Sequence, residues 1–223
     1  MNINKFYEKE WISRKSQKFG EYSRNLVLYE FFPPVNKQIK ILDLACGNGT
    51  VSQFLLKRGY QVTAVDISKE AIRQTKKKGI KNTVILNIET KLPFKSRYFD
   101  IVFWGDNIEH IIYPEKALKE ISRVLKKTGR IIISTPNLGF IFYRWSFLKK
   151  GSMPCTEEII SDPWEWKHIR FFNFETLKNL LNKNSFKIIK IRGTIEPGIY
   201  GIFSKIYPKL FSSIIILEAI NIN

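Results

Sequence analysis

A doubly wound α/β fold, with a parallel sheet covered by helices on both faces, is predicted by three observations. From Ile39 onward, short apolar runs rich in branched residues alternate with longer segments of helical period. Gly47 and Gly49 close the first run and an acid, Asp66, closes the second, the layout of a sheet that binds ligands at its carboxyl edge. The 223 residues are 44% hydrophobic and 14% aromatic, enough to close a sizeable core, which excludes a disordered or collagen-like chain.

The prefix 1–38 is expected to be a helical cap, with helices over Phe6–Lys15 and Tyr22–Phe32 that end at Pro33 and Pro34. It can cover a ligand pocket or simply pack. Strands follow at Lys40–Leu44, Gln61–Val65, Thr83–Ile88, Phe99–Trp104 and Arg130–Thr135. Between them lie helices at Thr50–Arg58, Ser68–Lys78 with Ser68 as N-cap, and Pro114–Lys127, started by Pro114 and stopped by Gly129. The rhythm then breaks into a lid-like insertion at about 136–172: an aromatic helix over Pro136–Lys150, then an irregular excursion. A helix at Phe174–Asn182 leads to a strand at Phe186–Arg192 and a last run at Ser212–Ile220. Residues 39–223 thus read as one domain.

The charge balance, 37 basic against 20 acidic residues, gives +17. With 27 lysines and only 10 arginines scattered through the chain, this reads as an AT-biased composition before it reads as a nucleic-acid surface. Cys46 and Cys155 fit no disulfide or metal spacing, and with no signal-peptide pattern the expected location is cytoplasmic. The most apolar stretch is interrupted by Lys205, Pro208, Lys209 and Glu218, so a transmembrane segment is not expected. Tyr200–Phe211 carries Ile202, Phe203, Ile206, Tyr207, Leu210 and Phe211 on one stripe, which leaves peripheral membrane contact open beside ordinary packing.

Gly47 and Gly49 leave backbone amides facing outward at a sheet edge, open to a polar or anionic group. Asp66, 19 residues after Gly47, can accept both hydroxyls of a ribose. Dinucleotides and S-adenosylmethionine both use such a layout. A dinucleotide site needs a third glycine where this chain has Ser52, which disfavours a nicotinamide oxidoreductase.

The segments ILDLACGNGTVSQFLLKRGYQVTAVDIS, LPFKSRYFDIVFWGDNIEHI, LKEISRVLKKTGRIIISTPN and HIRFFNFETLKNLLNKNSF stand in the order and spacing of one family. They resemble the class I S-adenosylmethionine-dependent methyltransferases over about Ile39 to Ile191, nearest to those acting on small molecules, quinone precursors or glycans. The resemblance implies a Rossmann-like, seven-stranded, mostly parallel sheet whose last strand is antiparallel, with S-adenosylmethionine as cofactor. It implies that Asp43, Ala45, Gly47 and Gly49 shape the methionine and ribose end, that Asp66 binds the ribose hydroxyls and Ile67 packs on the adenine, with Ile88 also among the cofactor-binding residues. Asn87 stands where an Asp is common, and Trp104 where a small residue is usual.

Asp106, Glu109 and His110 follow the fourth strand, beyond a strand carboxyl end where open α/β sheets bind ligands. Methyl transfer to a hydroxyl needs alignment and removal of one proton, and an imidazole titrating near neutrality is the natural base, so His110 is assigned that role with Glu109 orienting it. His168, the other histidine of the chain, closes the aromatic excursion and joins the catalytic candidates. Asp106, Glu109, His110 and His168 also resemble the Glu-x-x-Glu-His plus His site with which small-RNA ribose methyltransferases hold a divalent metal. Arg170 is the candidate for a phosphate or carboxylate on the acceptor, and Trp145, Trp164, Trp166, Phe171 and Phe172 for an aromatic wall.

The expected function is O-methylation of a small molecule, lipid precursor or glycan. The alternative is a non-catalytic protein of the same fold that binds the cofactor or RNA.

Overall fold

The structure, a computed structural model, describes residues 7–9, 11–12, 27–35, 38–151, 168–194 and 200–223. Seven strands form one sheet: β1 (Lys40–Leu44), β2 (Gln61–Asp66), β3 (Asn82–Ile85), β4 (Phe99–Gly105), β5 (Leu125–Pro136), β6 (Phe186–Gly193) and β7 (Ile214–Asn221). Their spatial order is β3-β2-β1-β4-β5-β7-β6. β1 to β5 pair in parallel, and β7 runs antiparallel between β5 and β6. The expected fold class is present, with the last strand inserted into the sheet. From residue 40 onward the described helices are α1 (Thr50–Lys57), α2 (Lys69–Lys77), α3 (Pro114–Val124), α4 (Ile141–Lys150), α5 (Phe174–Lys183), α6 (Tyr200–Ile206) and α7 (Pro208–Phe211).

Period-two alternation explains why the central strands are apolar throughout. In β4, Val102 and Trp104 join one core while Ile101 and Phe103 join the other; in β5, Ile131 and Ile133 face one and Ile132 the other. The first core is closed by Leu118 and Ile121 of α3 and Leu177 and Leu181 of α5. Phe54 and Leu55 of α1, together with Val27, Leu28, Phe31 and Phe32, close the second. Phe32 meets Phe103 edge to face at 5.8 Å, so the end of the prefix packs on the sheet.

Helix ends follow local chemistry. Ser68 Oγ accepts the Ala71 amide at 3.1 Å, the cap read from the sequence. Asn173 and Thr176 form a reciprocal capping box on α5. α3, however, stops at Val124 rather than running to Lys127. Leu125, fully buried, pairs with Phe99 of β4, and sheet pairing overrides helical period there. The left-handed turn falls on Thr128, just before Gly129. α4 begins at Ile141 rather than Pro136, because β5 extends through Pro136 and Asn137 Oδ1 accepts the Gly139 amide in a turn. The expected single stripe over Tyr200–Phe211 is two short helices, broken at Pro208.

Candidate functional site

The sheet order reverses between β1 and β4, and the carboxyl ends of these strands carry the site. Asp43, buried at the end of β1, accepts the Ser52 hydroxyl at 2.5 Å. The residue at the third-glycine position therefore ties α1 to β1. Beyond β1, Ala45, Gly47 and Gly49 take positive φ values of 55°, 56° and 74°. At Gly49 a Cβ would lie 2.8 Å from the Thr75 Cα, so glycine is required both by φ and by space.

Asp66 is locked to this loop. The Gly47 amide donates to one carboxylate oxygen at 2.9 Å, and the Ser68 amide donates to the other at 2.9 Å. The glycine turn, the acid and the start of α2 are thus one hydrogen-bonded unit. Between them, burial first and then the charges of Asp43 and Asp66 push the Cys46 thiol well above its usual range, which keeps it protonated. Ile67, half-buried, follows the acid, and buried Ile88 belongs to the first core. The Asn87 carboxamide oxygen accepts the Glu89 amide at 3.0 Å. Trp104 lies fully buried in the same core and donates its indole N–H to Asn107 Oδ1 at 2.9 Å, so the bulky residue faces inward rather than into the cradle.

Residues 7–9 and 11–12 sit on this unit. The Trp11 ring comes within 2.5 Å of where a Gly47 Cβ would stand, so the indole packs directly against the glycine. Glu8 accepts the Ser68 hydroxyl at 2.7 Å and the Glu70 amide at 3.1 Å, placing a carboxylate on the N-terminus of α2. Gln74 Nε2 donates to the Trp11 carbonyl at 3.3 Å. Tyr7 meets the His110 ring edge to face at 6.4 Å. One short segment therefore spans from the cradle to the histidines.

After β4 the chain turns through Asp106 at φ 45°, with its carboxylate accepting the Ser134 hydroxyl at 2.7 Å. A 3-10 turn at Ile108–His110 follows. Glu109, buried, accepts the Thr135 hydroxyl at 2.9 Å on one oxygen, and its other oxygen lies 4.0 Å from His168 Nε2. His110 and His168 stand with ring centroids 4.8 Å apart. The backbone explains how His168 arrives from so far along the chain: the Ile169 and Arg170 amides both donate to the Glu109 carbonyl at 3.0 Å. Glu109, His110 and His168 present ligand atoms within 4.8 Å of one another, and Asp106 is not in that group. Glu109 thus addresses His168 and Thr135 from within the same group as His110. Thr135→Val, which removes a hydroxyl donor from a buried carboxylate, is expected to lower unfolding free energy by about 1.5–3 kcal/mol in urea titrations.

Of the acceptor-binding candidates, Arg170 directs its guanidinium to the backbone carbonyls of Ile111 and Ile112. That anchors the return of the insertion beside His110. A cleft next to it is lined by Glu109, Thr135, Leu138, His168 and Phe171. Trp145 lies on α4, 64% exposed, and Phe172 is buried in the first core. Trp164, Trp166 and Cys155 lie outside the described residues. Sequence reasoning missed Thr135, Ser134, Glu8, Tyr7 and Trp11. Thr135 and Ser134 could have been found as hydroxyls ending a strand otherwise made of branched apolar residues.

The chain matches a methyltransferase domain family over residues 42–133. It is 27% identical over 160 residues to the ubiquinone biosynthesis O-methyltransferase of Pelagibacter ubique (strain HTCC1062), covering 70% of this chain and 65% of that protein. Over 211 residues it is 30% identical to an uncharacterized protein of Methanocaldococcus jannaschii, covering 87% of this chain and 80% of that one. The chain spans between 42% and 65% of the length of the ubiquinone O-methyltransferases it matches. In fold it is similar to an S-adenosylmethionine dependent methyltransferase from Mesorhizobium loti, with a TM-score of 0.66 at 15% identity over 91% of this chain and 99% of that one.

Proposed function

From the premise that this chain belongs to the class I S-adenosylmethionine-dependent methyltransferases, we propose that it methylates a hydroxyl of a small molecule, lipid precursor or glycan. The observation that carries this reading is the hydrogen-bonded unit of Gly47 and Asp66 beside the Glu109, His110 and His168 cluster, both at the carboxyl edge of adjoining parallel strands.

The residues present fit the cofactor. A backbone-lined turn meets a carboxylate where a ribose needs acceptors, and the Trp11 indole against Gly47 marks space for a flat group there. Asp43, Ala45, Gly47 and Gly49 would hold the methionine and ribose end, with Asp66 on the ribose hydroxyls. Ile67, Asn87 and Ile88 would border the adenine. When bound, the cofactor supplies an activated methyl group on a sulfonium. His110 takes the proton from the acceptor hydroxyl, and Glu109, held by Thr135, sets the electrostatics of the pair of histidines. Because Trp11 and Glu8 stand on the cradle, cofactor entry must displace them. Trp11→Ala is expected to speed cofactor association roughly tenfold in stopped-flow measurements, since an indole contact is lost from the closed state only.

A second reading is favoured by the grouping of ligand atoms within 4.8 Å: a divalent cation on Glu109, His110 and His168, lowering the pKa of the acceptor hydroxyl. Turnover that is lost with EDTA and restored by magnesium or zinc would establish it; turnover indifferent to chelation leaves His110 as the base. Incubation with methyl-labelled cofactor and a cell extract, followed by identification of the labelled product, tests the function itself. No labelled product, together with affinity for RNA that falls steeply with salt, would favour the non-catalytic alternative.

A further inference from the structure

We propose that α4 and α6 together form a docking surface for an anionic lipid membrane. α4 has the sequence IFYRWSFLKK and contains no buried residue. Phe142, Trp145, Phe147 and Leu148 are 45%, 64%, 48% and 79% exposed. In α6 the usual polarity is inverted. Gly201 and Ser204 face inward, whereas Ile202, Phe203, Ile206 and the following Tyr207 are 61%, 42%, 71% and 61% exposed. A helix packed only for stability buries its large apolar side chains and exposes its small polar ones. So many large apolar groups exposed at one end of the sheet mark an interaction surface.

The two helices share one end of the sheet. The Asn137 side chain donates to the carbonyls of Lys209 at 3.1 Å and Ser212 at 2.8 Å, which ties the turn before α4 to the segment after α6. Pro136 at the end of β5 pairs with Ile214 at the start of β7. Both helices therefore emerge at the carboxyl end of β5, the edge that also carries Thr135 and the Glu109 cluster.

Charge selects the partner. Arg144, Lys149, Lys150, Lys205 and Lys209 flank the apolar residues, and neither 136–151 nor 200–213 contains an Asp or Glu. Lys209 pairs with Glu175 of α5 at 2.6 Å; the pair is exposed on both sides and screened by water. A second copy of this chain would bring the same cationic rim and a further +17 of charge to the face, whereas anionic headgroups complement it. Apolar side chains at the level of the acyl boundary with lysines among the headgroups is the geometry of a helix lying in the interface. An acceptor carried in the bilayer would then enter at the edge where His110 stands. That last step rests on the methyl-transfer reading; docking itself does not.

The test is co-sedimentation of the full chain, without cofactor, with vesicles of phosphatidylcholine alone or with about one third phosphatidylglycerol. The chain is expected to pellet with the anionic vesicles. The double variant Leu148→Ser with Ile206→Ser, at two exposed positions and with an unchanged circular dichroism spectrum, should reduce binding about tenfold or more. Three results would overturn the proposal. They are no pelleting at low salt, pelleting that the double variant leaves intact, and a dimer in light scattering that the double variant dissociates. The readout needs neither cofactor nor turnover, so its failure leaves methyl transfer standing, and failure of methyl transfer leaves it standing.

Discussion

Asp66→Ala is expected to abolish cofactor binding, with affinity falling more than about a hundredfold in calorimetry. The carboxylate accepts the Gly47 and Ser68 amides, so its removal leaves two buried donors unpaired and frees the glycine turn from β2. Hydrogen bonds to a charged group contribute about 1.5–3 kcal/mol each, and about 3 kcal/mol corresponds to a factor of roughly 150. The proposed ribose acceptor is lost at the same stroke. Asp66→Asn keeps the size but turns an N–H toward one of those amides, so it should bind the cofactor nearly as poorly while unfolding closer to the native protein in urea. Native affinity in either variant would remove the cradle as assigned.

His110→Ala should separate binding from chemistry. The imidazole is placed by the 3-10 turn after β4, away from the hydrogen bonds that hold Asp66, so cofactor affinity should stay within about twofold while turnover falls roughly 10²- to 10⁴-fold. The pH profile sharpens the test. A base must be unprotonated, so kcat/KM of the native protein should rise from acid pH and then level. In the variant that rise should vanish. A variant with native turnover would show that the proton leaves by another route.

The elements that sequence alone made legible are those set by neighbours along the chain. Ser68 caps α2 because its hydroxyl reaches an amide three residues on, and Pro114 starts α3 because its missing N–H is spared there. The glycines of the cradle are legible for the same reason, since positive φ is a local demand. The boundary at Val124 was not legible, because Leu125 leaves the helix for a partner on β4. Nor was the arrival of Trp11 over Gly47, a contact between residues 36 positions apart that no periodicity encodes.

The sequence by itself determined the order of strands and helices, the turn at Gly47 and Gly49, and the residue types available at each strand end. These follow from backbone sterics and from the period of apolar residues, which act within a few positions. Only the tertiary structure decided that β7 slips between β5 and β6, that Glu109 faces His168 and Thr135, and that α6 turns its large apolar side chains outward. Each of those depends on which surfaces meet once the sheet has closed, and packing between distant segments leaves no mark in local pattern.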